Sequence, residues 1–130
     1  GAAVVRLLQR FPNVVAWVNG HTHRNAITPH PADDPACGFL ELNTASHVDF
    51  PQLARVIELV DNQDGTLSLF TTLIEADSPY QADYDDRSPA ALAALYRELS
   101  FNDPHADLAK LGELGDRNVE LLVPGRVPTR

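Results

Sequence analysis

Two imidazoles separated by one residue, His21 and His23, are the part of this sequence whose chemistry is sharper than its packing. They follow Trp17, Val18, Asn19 and Gly20 and precede Arg24. A neutral imidazole offers one lone pair to a metal ion, and side chains at i and i+2 of extended backbone lie on the same side. Gly20 has the dihedral freedom to turn the chain and the small size to let its backbone approach an ion or phosphate. Upstream, residues 14–18 read as a strand buried on both faces, because no polar residue alternates with the apolar ones. Open α/β sheets hold ligands at the carboxyl ends of their strands, which is where this pair falls.

The run Gly20, His21, Thr22, His23 resembles the last metal-binding motif of the calcineurin-like metallophosphoesterases. That superfamily includes purple acid phosphatases, bacterial cyclic-nucleotide phosphodiesterases and DNA-repair nucleases. The resemblance is strongest over residues 14–24 and extends over 38–72, where Asn43, Thr44, Ala45, Ser46 and His47 precede a β-hairpin. A bacterial branch carries a segment of that form after the same motif. The resemblance implies that His21 binds one ion of a dinuclear centre and His23 the other. Asn19, Gly20, Asn43, Ser46 and His47 would then lie near a phosphomonoester or phosphodiester substrate. Two divalent ions of a kind that suits imidazole, Mn, Fe or Zn, would supply the activated water.

The earlier motifs of that superfamily (Asp-x-His, Gly-Asp-x-x-Asp, Gly-Asn-His-Asp or Glu, and an isolated histidine) are not found in residues 1–19. The expectation is therefore the C-terminal portion of a metallophosphoesterase, completed by the upstream half of the same polypeptide, which would bring the general acid. Alone, it is expected to hold metal weakly or not at all and to be inactive. A second reading, from a different class, is a non-catalytic α/β interaction module with no metal site. A third is a mononuclear zinc site closed by His30 or His47, for which four convincing ligands are not visible.

Composition narrows the partners. The formal charge is −8, and Arg supplies all but one of the ten basic residues. Such a surface repels a polyanion, so nucleic acid is a poor default partner. No apolar run reaches the roughly 18 residues of a membrane span, and Cys37 is alone, so no disulfide forms within the chain. Cytoplasmic residence is the default expectation. Hydrophobic residues make up 44% of the chain, enough for a core, and the length suits one domain.

The elements that would position the histidines follow from local signals. Val4, Leu7, Leu8 and Phe11 give a helix over residues 2–10, stopped by Pro12 and Asn13. Helix then buried strand is half of a βαβ unit, a second sign that a strand precedes. Residues 25–28 suit a short strand. Pro29, Pro31 and Pro35 argue for a loop, with His30 solvated in it and Asp33 and Asp34 at its tip. Residues 38–43 alternate as a strand, and 53–60 and 66–75 as a hairpin around Gly65. The hairpin loop fails as a calcium loop, since Val60 and Thr71 stand where Asp and Glu are required. Residues 77–87 are an acidic connector; Ser88 and Pro89 start a helix whose stripe is Leu92, Leu95, Tyr96 and Leu99. A short helix from Pro104 carrying Leu108 and Leu111, an exposed His105, and an edge strand over 118–123 complete the chain.

The expected fold class is α/β (α+β), a partial metallophosphoesterase fold with a mixed sheet and a C-terminal β-hairpin flanked by helices. Residues 1–130 form one domain, with the sheet core and metal motif in 1–76 and a helical extension in 77–130. Exposed strand edges in such a chain favour self-association.

Overall fold

The structure, a computed structural model, describes residues 1–125. Its class is mixed α and β, as expected: two α-helices and two three-stranded sheets among the described residues. Helix α1 (Ala2–Leu8) is shorter than its periodicity predicts. Arg10 and Phe11 donate to Leu7 and Leu8 in i→i−3 bonds, so the last turn tightens and the α-helix stops there. None of its residues is buried.

The first sheet has the order β1-β3-β2, from β1 (Ala16–Asn19), β2 (Ala26–His30) and β3 (Phe39–Asn43). β1 runs parallel to β3 with Asn19 opposite Asn43, and β2 runs antiparallel to β3. The strand expected to be buried on both faces is not. Val18 is 50% exposed, because β1 is the edge strand and the unburied α1 gives it little cover. Pro29 and His30 also depart from expectation, since they belong to β2 and not to a loop. An edge strand tolerates proline because the missing N–H can face away from the ladder. Pro35 opens a 3-10 turn, Pro35–Cys37, capped by Asp34 accepting from Ala36 N–H at 2.9 Å.

The second sheet is antiparallel, in the order β4 (Ala54–Asp61), β5 (Thr66–Ile74), β6 (Val119–Pro124). Its hairpin turns at Gly65, φ +90, with Asp64 accepting from Thr66 N–H at 2.9 Å. β6 lies within the expected helical extension and pairs with β5, in the expected sheet core. Helix α2 (Pro89–Phe101) starts as expected, with Ser88 accepting from Ala91 N–H. The face it buries is not the leucine stripe: Ala91, Ala94 and Ser100 are inside, while Tyr96 and Leu99 are 56% and 58% exposed. Small side chains at i and i+3 let the helix axis come close, and the larger residues wall a cavity instead. The expected helix after Pro104 is a 3-10 turn, Leu108–Leu111, ended by Gly112 at φ +75. A third 3-10 turn, Leu114–Asp116, leads into β6.

The apolar core is small: Phe39, Leu42, Phe50, Leu69, Ala91, Ala94 and Val123. Asn25, Ser68, Thr71 and Ser100 are buried with it, so polar contacts carry a large part of the order. No helix among the described residues is long and apolar enough to cross a membrane.

Candidate metal-ligand turn

β1 ends at Asn19 and the chain turns through residues 20–25 before β2. The expected geometry, extended backbone turned at Gly20, is not what forms. The left-handed residues are the histidines themselves, His21 at φ +80 and His23 at φ +55. Such backbone costs on the order of 1–3 kcal/mol per non-glycine residue and persists only where the surroundings impose it. Gly20 carries no such demand. A Cβ there would meet only Thr44 Oγ1, at 3.9 Å.

The turn ends on Asn25, 1% exposed. Its N–H donates to Lys110 O at 2.9 Å, and its Nδ2 reaches Leu111 O at 3.5 Å. Its Oδ1 accepts from Ala45 N–H at 3.2 Å and from Arg55 Nη2 at 3.1 Å. Arg55 donates further to Asp116 O at 2.6 Å and Arg117 O at 3.2 Å, while its Nε is buried without a partner. Burial lowers the Arg55 pKa, and the Asp116 carboxylate opposes that shift. Asp116 Oδ1 also accepts from Ile27 N–H at 2.7 Å, tying the start of β2 to the same segment. The two sheets and the 3-10 turns therefore meet at one asparagine and one arginine.

The His23 ring is fixed. Its Nδ1 lies 2.7 Å from Asp49 Oδ2, and Lys110 Nζ lies 3.9 Å from the same oxygen. Asp49 is presented by a turn in which Ser46 Oγ accepts from Val48 N–H at 3.1 Å and Asp49 N–H at 3.4 Å. The Ser46 hydroxyl, and after it the His23 ring, hold the Asp49 carboxyl below its ordinary value against the opposing effect of burial. An ionised Asp49 makes Nδ1 the proton-bearing nitrogen, which leaves the Nε2 lone pair for another partner. A carboxylate on the far nitrogen is how metal-ligating histidines are commonly oriented. His21 is exposed.

The other expected site residues divide. Asn19 Nδ2 donates to Glu41 Oε1 at 2.7 Å, so its amide serves the sheet. Its carbonyl accepts from Thr44 N–H at 2.9 Å and Thr44 Oγ1 at 3.2 Å, which seats the Asn-Thr-Ala-Ser-His segment against the end of β1. Asn43 Oδ1 is buried without a hydrogen bond. Ser46 shapes the turn described above. His47 is exposed on the rim of a cavity. His30 is not the solvated loop residue expected: its Nε2 lies 2.7 Å from Glu41 Oε2 and its ring 4.8 Å from Phe39. Among the described residues it belongs to no group of three or more His, Cys, Asp or Glu that could hold a zinc ion.

Sequence reasoning missed Asp49, Glu41, Asn25 and Arg55. Two signals were present: Ser46 followed three residues later by an aspartate suggests a side-chain turn, and Arg55 on an otherwise apolar strand face suggests a buried partner. Among the described residues, no group of three or more His, Cys, Asp or Glu could hold a metal ion. No protein-family model, curated protein or solved structure matches the chain.

Proposed function

We propose that this chain contributes His21 and His23 as ligands to a dinuclear metal centre of a calcineurin-like phosphoesterase, acting on phosphomonoesters or phosphodiesters. The observation that carries this reading is the His23–Asp49 contact of 2.7 Å, which directs the free ring nitrogen away from its carboxylate. Left-handed backbone at both histidines supports it, because strain of that kind collects at ligand sites. So does the parallel β1–β3 pair, whose carboxyl ends carry both motif segments. The residues present fit a shared centre and not a complete one, since no third protein donor joins them among the described residues.

When bound, the divalent ions (Mn, Fe or Zn) polarise the phosphoryl group and lower the pKa of a water. The chain's own part is positional. Asp49 fixes the His23 tautomer, and Lys110 balances the Asp49 charge. Thr44 holds the Asn43 side of the site against the end of β1. The remaining ligands and the general acid are supplied by polypeptide outside this set, and the chain alone is expected to be without useful turnover.

Titration of the isotopically labelled chain with Mn²⁺ tests the reading. Paramagnetic broadening is expected first at residues 20–24 and 47–49, lost in His21→Ala and His23→Ala. Asp49→Asn is expected to weaken it by about ten- to a hundredfold. Broadening confined to the acidic connector, residues 77–87, would overturn it. That result would favour the non-catalytic interaction module.

A further inference from the structure

Between α2, the paired ends of β4 and β5 and the Leu108–Leu111 turn lies a cavity of about 590 Å³. Phe50 and Phe101 meet edge to face on its wall, ring centroids 6.0 Å apart, beside Ile74, Leu108 and Leu111. Its charged groups are committed to one another. Arg97 lies 3.7 Å from Glu75 and donates to Ala76 O at 3.1 Å, and Ser100 Oγ donates to Arg97 O at 3.1 Å. His47 on the rim has no such engagement among the described residues. A second, smaller cavity shares His47, Gln52, Tyr96 and Ser100 with the first and continues to Asp49. Asp49 is the carboxylate that holds His23. The concave surface thus runs from an apolar floor, past His47, to Asp49, the carboxylate behind the histidine turn.

We propose that this cavity takes the apolar ester group, aryl or alkyl, of a phosphoester whose phosphate lies at the histidine turn. This rests on the metal-ligand reading and narrows its substrate class. The volume falls within the range of roughly 300–1,000 Å³ that small-molecule sites occupy, which admits a fused two-ring aromatic group. On the wall, Arg97, Glu75 and Ser100 are already paired, while His47, Gln52 and Tyr96 stand where the two cavities join, at the end nearer Asp49. Arg97, the guanidinium on the wall, is already paired with Glu75. The favoured substrate is therefore a compact ester with one charged end and one apolar end.

The test uses the full 130-residue chain, with 1-naphthyl phosphate and inorganic phosphate as probes, each with and without Mn²⁺, read by amide chemical shifts. Naphthyl phosphate is expected to move amides of residues 50–54, 74–76 and 93–101, and inorganic phosphate to leave them in place. Ala93→Trp, which fills the cavity from α2, is expected to weaken naphthyl phosphate by about tenfold or more. Ile74→Asp places a charge at a half-exposed wall position, folds more readily, and is expected to weaken it similarly. Mn²⁺ broadening at residues 20–24 with no cavity shifts, or cavity shifts indifferent to both substitutions, would overturn this proposal while leaving the metal reading intact. Cavity shifts without that broadening would overturn the metal reading and the phosphoester assignment with it.

Discussion

Glu41 joins all three strands of the first sheet through its side chain. One oxygen accepts from Asn19 on β1 and the other pairs with His30 on β2, both at 2.7 Å. The His30 contact, then the Asn19 bond, hold its carboxyl below the ordinary value of 4.5, and burial opposes them only in part. A carboxyl depressed on folding contributes stability that is fully present above its unfolded value and lost as pH falls through the lower folded value. Urea unfolding, followed by the fluorescence of Trp17 opposite Glu41, is therefore expected to weaken as pH drops below 4.5. Glu41→Gln is expected to be less stable near neutrality and to lack that part of the acid limb. Parallel acid limbs for the two proteins would mean that other carboxylates carry the effect. None of this was legible beforehand, because the partners come from strands whose pairing order the local pattern leaves open. His30 in particular was hidden by the prolines on either side of it.

At the scale of elements, Gly112 is the position where backbone and packing make the same demand. It sits at φ +75, and a Cβ there would lie 2.6 Å from Asn25 O and 2.9 Å from Asp116 Cβ. Gly65 at φ +90 has open space around its missing side chain. Gly65→Ala is thus expected to cost about 1 kcal/mol, the conformational penalty alone, whereas Gly112→Ala adds a clash with backbone that has nowhere to move. The expected order of urea midpoints is wild type, Gly65→Ala, Gly112→Ala; equal losses would mean that the Asn25 contact is soft. The hairpin was readable from sequence because its turn chemistry is local, as were the cap of α2 and the alternation of β3, β4 and β5. The buried face of α2 was not. Two stripes, one of alanines and one of leucines, share that helix, and the choice between them is made by how closely it approaches its neighbours. The histidine motif was legible as residue types, but its left-handed backbone was not, since the residues that hold Asn25 at the end of the turn are as distant in sequence as Lys110 and Leu111.

Across the whole molecule, apolar surface is unevenly covered. Val4, Leu7 and Phe11 on and just after α1 are 40–49% exposed, and Val18 on β1 is 50% exposed. The outer edge of β1 has no strand beside it among the described residues. An open edge beside apolar surface is a template for association. Covering a few hundred Å² at about 25 cal/mol per Å² is worth several kcal/mol. We propose that the chain self-associates, most simply as a two-fold dimer in which first helices or β1 edges cover each other. Sedimentation at micromolar concentration is expected to show a concentration-dependent dimer, shifted toward monomer by Val18→Lys; a monomer at every concentration would refute the proposal. The Asn25 anchor has a consequence in time as well. Its bond to Leu111 and the bond from Ile27 to Asp116 span 86 and 89 residues. At a synthesis rate of about 5–20 residues per second, the histidines leave the ribosome roughly five to twenty seconds before the segment that will hold them. Until then the turn has only the contacts from Thr44, Ala45, Asp49 and Arg55. The turn is among the first parts of the chain to be made and among the last to be set.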